Sequence, residues 1–150
     1  MRIIASGSLA QGERGTARAI LTFGQTVALR SGLLLATCRT GSSKDSSDET
    51  VEFFRSADGG HTWSAGWRPF AAPKLNGRRG TLKLCYLTEL ASGRLLAASM
   101  WIDRTTHPNQ PLFNAETEGC LPMEILLAES DDEGRSWSEW HQIPMPDEIG

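Results

Sequence analysis

Apolar residues in this chain come in short bursts. Leu33 to Arg39 follows a glycine and reads as a nearly continuous apolar run that ends in a charge. Leu82 to Leu87 and Arg94 to Trp101 form two similar runs on either side of the turn Ala91-Ser92-Gly93. Val51 to Phe54 and Glu124 to Ala128 are shorter, and each feeds a polar turn that contains glycine. Trp67 to Phe70 and Trp140 to Ile143 follow those turns. Runs of this length between turn residues predict strands, and none sustains a helical period with caps at both ends.

Taken in order, the segments repeat. The first unit places strands at 16–22 or 26–29, then 33–39, 51–55 and 67–70. The second places them at 82–87, 94–101, 124–129 and 140–143. Each is a four-stranded antiparallel meander, which is the content of one blade of a propeller. The expected fold is all-β, with blade 1 at about 16–70 and blade 2 at about 81–143. The stretch Ile143-Pro144-Met145-Pro146 breaks a continuing ladder and reads as a connector. Asp103 to Pro122 is a long aperiodic loop in the second unit, and the Ser- and Asp-rich Thr40 to Thr50 occupies the corresponding place in the first. Loops of that length in a small domain are commonly functional, and these two are expected on one rim.

The repeat carries a specific motif. Ser56-Ala57-Asp58-Gly59-Gly60-His61-Thr62-Trp63 is matched by Ser130-Asp131-Asp132-Glu133-Gly134-Arg135-Ser136-Trp137. Both obey Ser-x-Asp-x-Gly-x-Thr/Ser-Trp. The aspartate accepts hydrogen bonds from nearby N–H and hydroxyl groups, the glycine permits positive φ, and the tryptophan folds back as an apolar plug. Ser56, Asp58, Gly60, Trp63, Ser130, Asp132, Gly134 and Trp137 are therefore structural residues. A calcium loop would need more alternating oxygen ligands and a terminal glutamate, so no metal is expected here. Asp131-Asp132-Glu133 reads as a solvated turn, and His61 within the motif faces solvent.

Composition narrows the classes. The 150 residues are 39% hydrophobic and 22% charged, with a formal net charge of −3, as in globular domains. Charges of both signs interleave, and the one dense basic cluster, Arg78-Arg79 with Lys74 and Lys83, reads as a solvated loop; no nucleic-acid partner is expected. No apolar stretch reaches the length of a membrane span. The first 30 residues lack the basic start and apolar stretch of a secretory leader, which favours the cytoplasm. Cys38, Cys85 and Cys120 cannot all pair within the chain, and the first two fall in apolar runs as small core residues. Tyr86, the only tyrosine, also lies in an apolar strand and is expected in the core.

The two motif copies resemble the Asp box, or BNR repeat, of sialidases (neuraminidases) and their relatives. Gly32-Leu33-Leu34-Leu35-Ala36 and Gly93-Arg94-Leu95-Leu96-Ala97, one before each box, are also typical of that superfamily. The resemblance covers nearly the whole chain. It implies a partial six-bladed β-propeller of sialidase type, with about two blades present and no cofactor. It also implies an arginine triad for a sugar carboxylate, an aspartate acid/base and a late-blade tyrosine–glutamate nucleophile. In the family an Arg-Ile-Pro motif supplies the first arginine; here Arg18-Ala19-Ile20 stands at a comparable place without the proline. Arg39 closes the second strand as a family arginine does, and the family's acid/base comes from the following loop. Asp48 is the preferred candidate for that role and Asp45 the second. Asp103-Arg104 is assigned the position matching Arg39 in the second blade, with His107, Glu116 and Glu118 in the same loop.

Two blades of about 70 residues fall short of a closed ring, whose edges must be covered. The remaining blades are expected from the same chain or by self-association. The resemblance implies the early blades of a glycan hydrolase, inactive as an isolated segment, whose ligand is a carbohydrate. The alternative is a non-catalytic Asp-box propeller that binds carbohydrate or protein, because this motif specifies fold better than activity.

Overall fold

A computed structural model describes residues 6–144. Two antiparallel sheets account for its regular structure. The first is a meander of β1 (Ile20–Ala28), β2 (Leu34–Gly41) and β3 (Thr50–Ser56). The second runs β4 (Gly80–Glu89), β5 (Leu95–Asp103), β6 (Met123–Ser130) and β7 (His141–Ile143). Of the proposed 143–146 connector, only Ile143 and Pro144 lie within the described residues.

The two sheets repeat each other in detail. Leu34 pairs with Ala28 and Ser56, and Leu95 pairs with Glu89 and Ser130. The β1–β2 turn closes through Leu29 N–H to Leu33 O at 2.8 Å and Gly32 N–H to Leu29 O at 2.9 Å. The β4–β5 turn repeats both bonds with Leu90, Arg94 and Gly93 at 2.8 and 2.9 Å. Gly32 and Gly93 sit at φ 90° and 88°, where a β-carbon would be strained.

The first strand of each sheet carries one extra residue. The β1–β2 ladder slips between Thr22 and Gln25, with Phe23 at φ 53°, and the β4–β5 ladder slips between Leu82 and Cys85. These bulges re-aim side chains. In β4 the bulge buries the sequence neighbours Leu82 and Lys83 together. Strand β1 is thus one bulged strand across both alternatives offered by the sequence. The expected fourth strand of the first unit, 67–70, is not formed: Trp67 exchanges backbone hydrogen bonds with Phe53 at 2.8 and 3.0 Å and the ladder stops. Pro69 has no N–H to continue it.

The core lies between the sheets. Leu35, Val51, Phe53 and Phe70 pack with Leu82, Cys85, Leu87, Leu95, Ala97, Trp101, Leu126 and Ala128. Polar groups also cross this seam. Thr37 donates its hydroxyl to Cys85 O at 2.5 Å, and the Gln25 amide pairs with both the N–H and the carbonyl of Leu87 at 2.5 and 3.1 Å. The alternate residues of the second sheet, Leu84, Leu96, Met100, Ile125 and Leu127, form a half-buried apolar face on its far side. Tyr86 lies on that face and is 43% exposed, which corrects its expected core position: its neighbours Cys85 and Leu87 take the inward places. Lys83 is corrected in the other direction, from a solvated loop to a buried strand position. Cys85 is buried, and burial pushes its thiol well above the ordinary range.

Candidate functional site

The two Asp-centred turns have the same hydrogen bonds. The Ser56 hydroxyl donates to Asp58 Oδ1 at 2.8 Å and accepts from Gly60 N–H at 2.9 Å. Asp58 also accepts from the Thr62 N–H and hydroxyl at 2.9 and 2.6 Å. The second turn substitutes Ser130, Asp132, Gly134 and Ser136 at 2.8, 2.9, 2.8 and 2.6 Å. Trp63 Nε1 and Trp137 Nε1 close the turns on Gly60 O and Gly134 O at 3.1 and 3.2 Å. Each carboxylate accepts three hydrogen bonds from its own turn. Hydrogen bonds from Thr62 and Ser136, the largest effects, hold Asp58 and Asp132 far below the usual carboxylate range. These are fold elements.

A second cluster forms at the other end of the strands, where β2 and β5 finish. Glu49, fully buried, is its hub. Its Oε1 accepts from Asp45 N–H at 2.9 Å and lies 3.3 Å from Arg39 Nε; its Oε2 lies 2.7 Å from Lys83 Nζ and 3.6 Å from Arg104 Nη2. Lys83 also hydrogen-bonds the Asp45 carboxylate. Arg39 donates from Nε to Thr22 Oγ1 at 3.1 Å, and its guanidinium lies 4.7 Å from the Phe23 ring centroid. Arg104 donates from Nε to Thr81 Oγ1 at 3.3 Å and from Nη1 to His107 O and Gln110 O at 3.1 and 2.8 Å. Three buried cations thus face two buried carboxylates. Burial of such groups is tolerable only because each is paired.

Local geometry builds the cluster. Asp45 sits at φ 66°, a left-handed conformation that aspartate tolerates, so its carboxylate and its N–H both turn inward. Burial pushes the Asp45 carboxyl up, but the Lys83 ammonium, the Leu112 backbone N–H and Arg39 outweigh it and leave the group below the ordinary range.

Solved structures share this architecture. The chain superposes on the intramolecular trans-sialidase of Ruminococcus gnavus with TM-score 0.60 at 12% identity, over 90% of this chain and 50% of that one. The NanB sialidase of Streptococcus pneumoniae matches with TM-score 0.63 at 12% identity, over 92% of this chain and 38% of the other. An ulvan lyase of polysaccharide lyase family PL25 matches with TM-score 0.52 at 10% identity, over 86% and 29%.

The chain has a sialidase-like fold.

It spans half or less of the length of these three chains. No protein-family model matches the sequence, and no curated protein matches it significantly.

Within this sialidase-like fold, the residues singled out from the sequence separate into groups. Arg39, Asp45 and Arg104 meet in the buried cluster. Asp48 lies outside it on an exposed turn, accepting from the Ser42 N–H and hydroxyl at 3.1 Å each and from the Ser46 hydroxyl. Burial raises the Asp48 carboxyl, but the serine donors together outweigh it and lower it. Asp103 closes its own turn on Thr105 and Thr106 and pairs with Arg78 at 3.1 Å; burial opposes these donors, which bring it down to about 2. Arg18 is elsewhere: its Nε meets both oxygens of Glu52 at 2.9 and 3.0 Å, and its Nη1 meets Gln11 O at 2.8 Å. The ladders also correct one equivalence. Arg39 pairs with Val51, and the residue in that place in the second sheet is Met100, paired with Ile125; Asp103-Arg104 lies beyond it. Sequence reading passed over Glu49 and Lys83. A lysine between Leu82 and Leu84 was the available signal, since a charge inside an apolar strand needs a buried partner.

Proposed function

We propose that this chain forms the early blades of a six-bladed, sialidase-like glycan hydrolase and does not hydrolyse glycans by itself. The observation that carries the reading is the convergence of Arg39, Asp45, Lys83, Glu49 and Arg104 at one end of both sheets, beside the two long loops, in a sialidase-like fold. Guanidinium groups suit carboxylate-bearing sugars because their planar fork binds two oxygens at once.

Two features support inactivity of the segment alone. A glycosidase general acid must hold a proton at working pH. Asp45 and Asp48 are both shifted the other way, toward the ionised form. The side chains of Arg39 and Arg104 are only 2% and 3% exposed. Further blades would have to supply the missing acid environment, the nucleophile and the rest of the carboxylate clamp.

A non-catalytic propeller that binds carbohydrate or protein is the second reading. Internal pairing of both buried carboxylates favours it, because charges already paired inside the protein need no substrate. Turnover of a fluorogenic sialoside and of a panel of aryl glycosides by the natural gene product decides between them. Release of the fluorophore by the longer product, and not by residues 1–150, supports the hydrolase; no release by either supports the binding propeller.

A further inference from the structure

Arg104 has the least complete set of partners in the cluster. Its Nη1 donates to two backbone carbonyls, His107 O and Gln110 O, while the buried Nη2 has no hydrogen-bond partner. Buried donors are normally satisfied, so an unpartnered guanidinium nitrogen calls for an explanation. Glu49 Oε2, at 3.6 Å, is too distant to accept from it. Carbonyl oxygens carry only partial charge, and an anion's oxygens would hold the same fork more strongly.

Both carbonyls belong to the segment 105–112, which is pinned to the loop of the first sheet through Asn109. Asn109 Oδ1 accepts from the Ser47 N–H and hydroxyl at 2.9 and 2.8 Å, and Asn109 N–H donates back to Ser47 Oγ at 3.2 Å. The Ser47–Asn109 pins are exposed, so water competes for them.

We infer that residues 105–112 are an occluding strap, whose His107 and Gln110 carbonyls fill the positions on Arg104 that the oxygens of an oxyanion take when the strap lifts. The inference rests on the reading that this end of the sheets faces the substrate. It adds an autoinhibitory contact, and it names the ligand chemistry of the occluded position as a carboxylate, phosphate or sulfate group. When a binding-competent state is a minor fraction of the population, apparent affinity falls by that fraction. Loosening the strap therefore raises oxyanion affinity without adding a contact.

The test uses residues 1–150 with inorganic phosphate as the probe, followed by the Arg104 Nε–Hε resonance. Three proteins are compared: wild type, Ser47→Ala/Asn109→Ala, and that double variant with Arg104→Lys added. Amide exchange across 105–112 reports the strap itself. Release of the strap is expected to tighten phosphate binding roughly tenfold, the effect of one to two lost hydrogen bonds, with Arg104→Lys abolishing the gain. Faster exchange without tighter phosphate binding overturns the inference. So does unchanged exchange in the double variant, because the pins would then hold nothing. Either failure leaves the hydrolase reading to stand on turnover by the longer gene product, which this titration does not measure.

Discussion

Phe53 of β3 and Trp137 beyond β6 meet edge to face across the two sheets, with ring centroids 5.8 Å apart at 68°. Phe70 joins them, 5.3 Å from Trp137 and 4.2 Å from Trp140. The tryptophan that closes the second turn is therefore also the plug of the seam between sheets. Trp63, its counterpart in the first turn, is outside that cluster.

This asymmetry sets the first prediction. Trp137→Ala removes aromatic packing between the sheets and is expected to cost about 2–3 kcal/mol. Trp63→Ala is expected to cost about 1 kcal/mol or less, the value of a local turn contact. Urea unfolding of both variants measures the difference, and equal losses would mean that the seam does not depend on Trp137.

The buried cluster gives a sharper contrast. Lys83→Met leaves Asp45 and Glu49 without their ammonium partner and is expected to destabilise by about 3–5 kcal/mol at neutral pH. Adding Asp45→Asn to Lys83→Met neutralises the carboxylate that loses Lys83, while Glu49 still pairs Arg39 and Arg104, and should recover part of that loss. A double variant no more stable than the single one would show that the ion pair with Asp45 is not what Lys83 contributes.

Acid should unfold the chain through its aspartates. Hydrogen bonds lower the carboxyls of Asp58 and Asp132 in the folded state, and Asp103 is brought to about 2. A carboxyl whose folded pKa lies below its unfolded value adds stability that is fully present above the unfolded value, about 4. That stability is lost as pH falls through the folded value. Stability is thus expected to drop from about pH 5 downward, through about pH 2 for Asp103. Asp103→Asn flattens that limb of the curve, measured by urea midpoints between pH 2 and pH 6. An unchanged slope would contradict the assignment.

The thiols should react in order of access. Cys120 is exposed, Cys38 is half-buried with its thiol raised to about 11 by burial and then Glu52, and Cys85 is buried. A maleimide is expected to label Cys120 first and Cys85 only on unfolding; mass spectrometry of partial digests reads the order.

What the sequence revealed follows from how local each feature is. The two Asp-centred turns and the Gly32 and Gly93 hairpins are closed by residues a few positions apart, so their chemistry is visible in the string itself. The lost strand at 67–70 was also legible, since Pro69 forbids a continuing ladder, but the aromatic flanks Trp67 and Phe70 masked it. Tyr86 shows a different limit: alternation assigns a side chain to a face, and only the packing partner decides whether that face is covered. The cluster was the least legible part. Glu49 meets Lys83 and Arg104 only because the β4 bulge and the turn at Asp45 bring distant segments together, and neither leaves a mark in the spacing of charges.

The proposed function makes this chain the early part of a longer sialidase-like propeller, and the intact mass of the natural gene product tests that proposal most directly. The account predicts a product of roughly 40 kDa or more, with further Ser-x-Asp-x-Gly-x-Thr/Ser-Trp turns in the additional sequence, as six blades require. A natural product of 150 residues that stays monomeric in solution would contradict it.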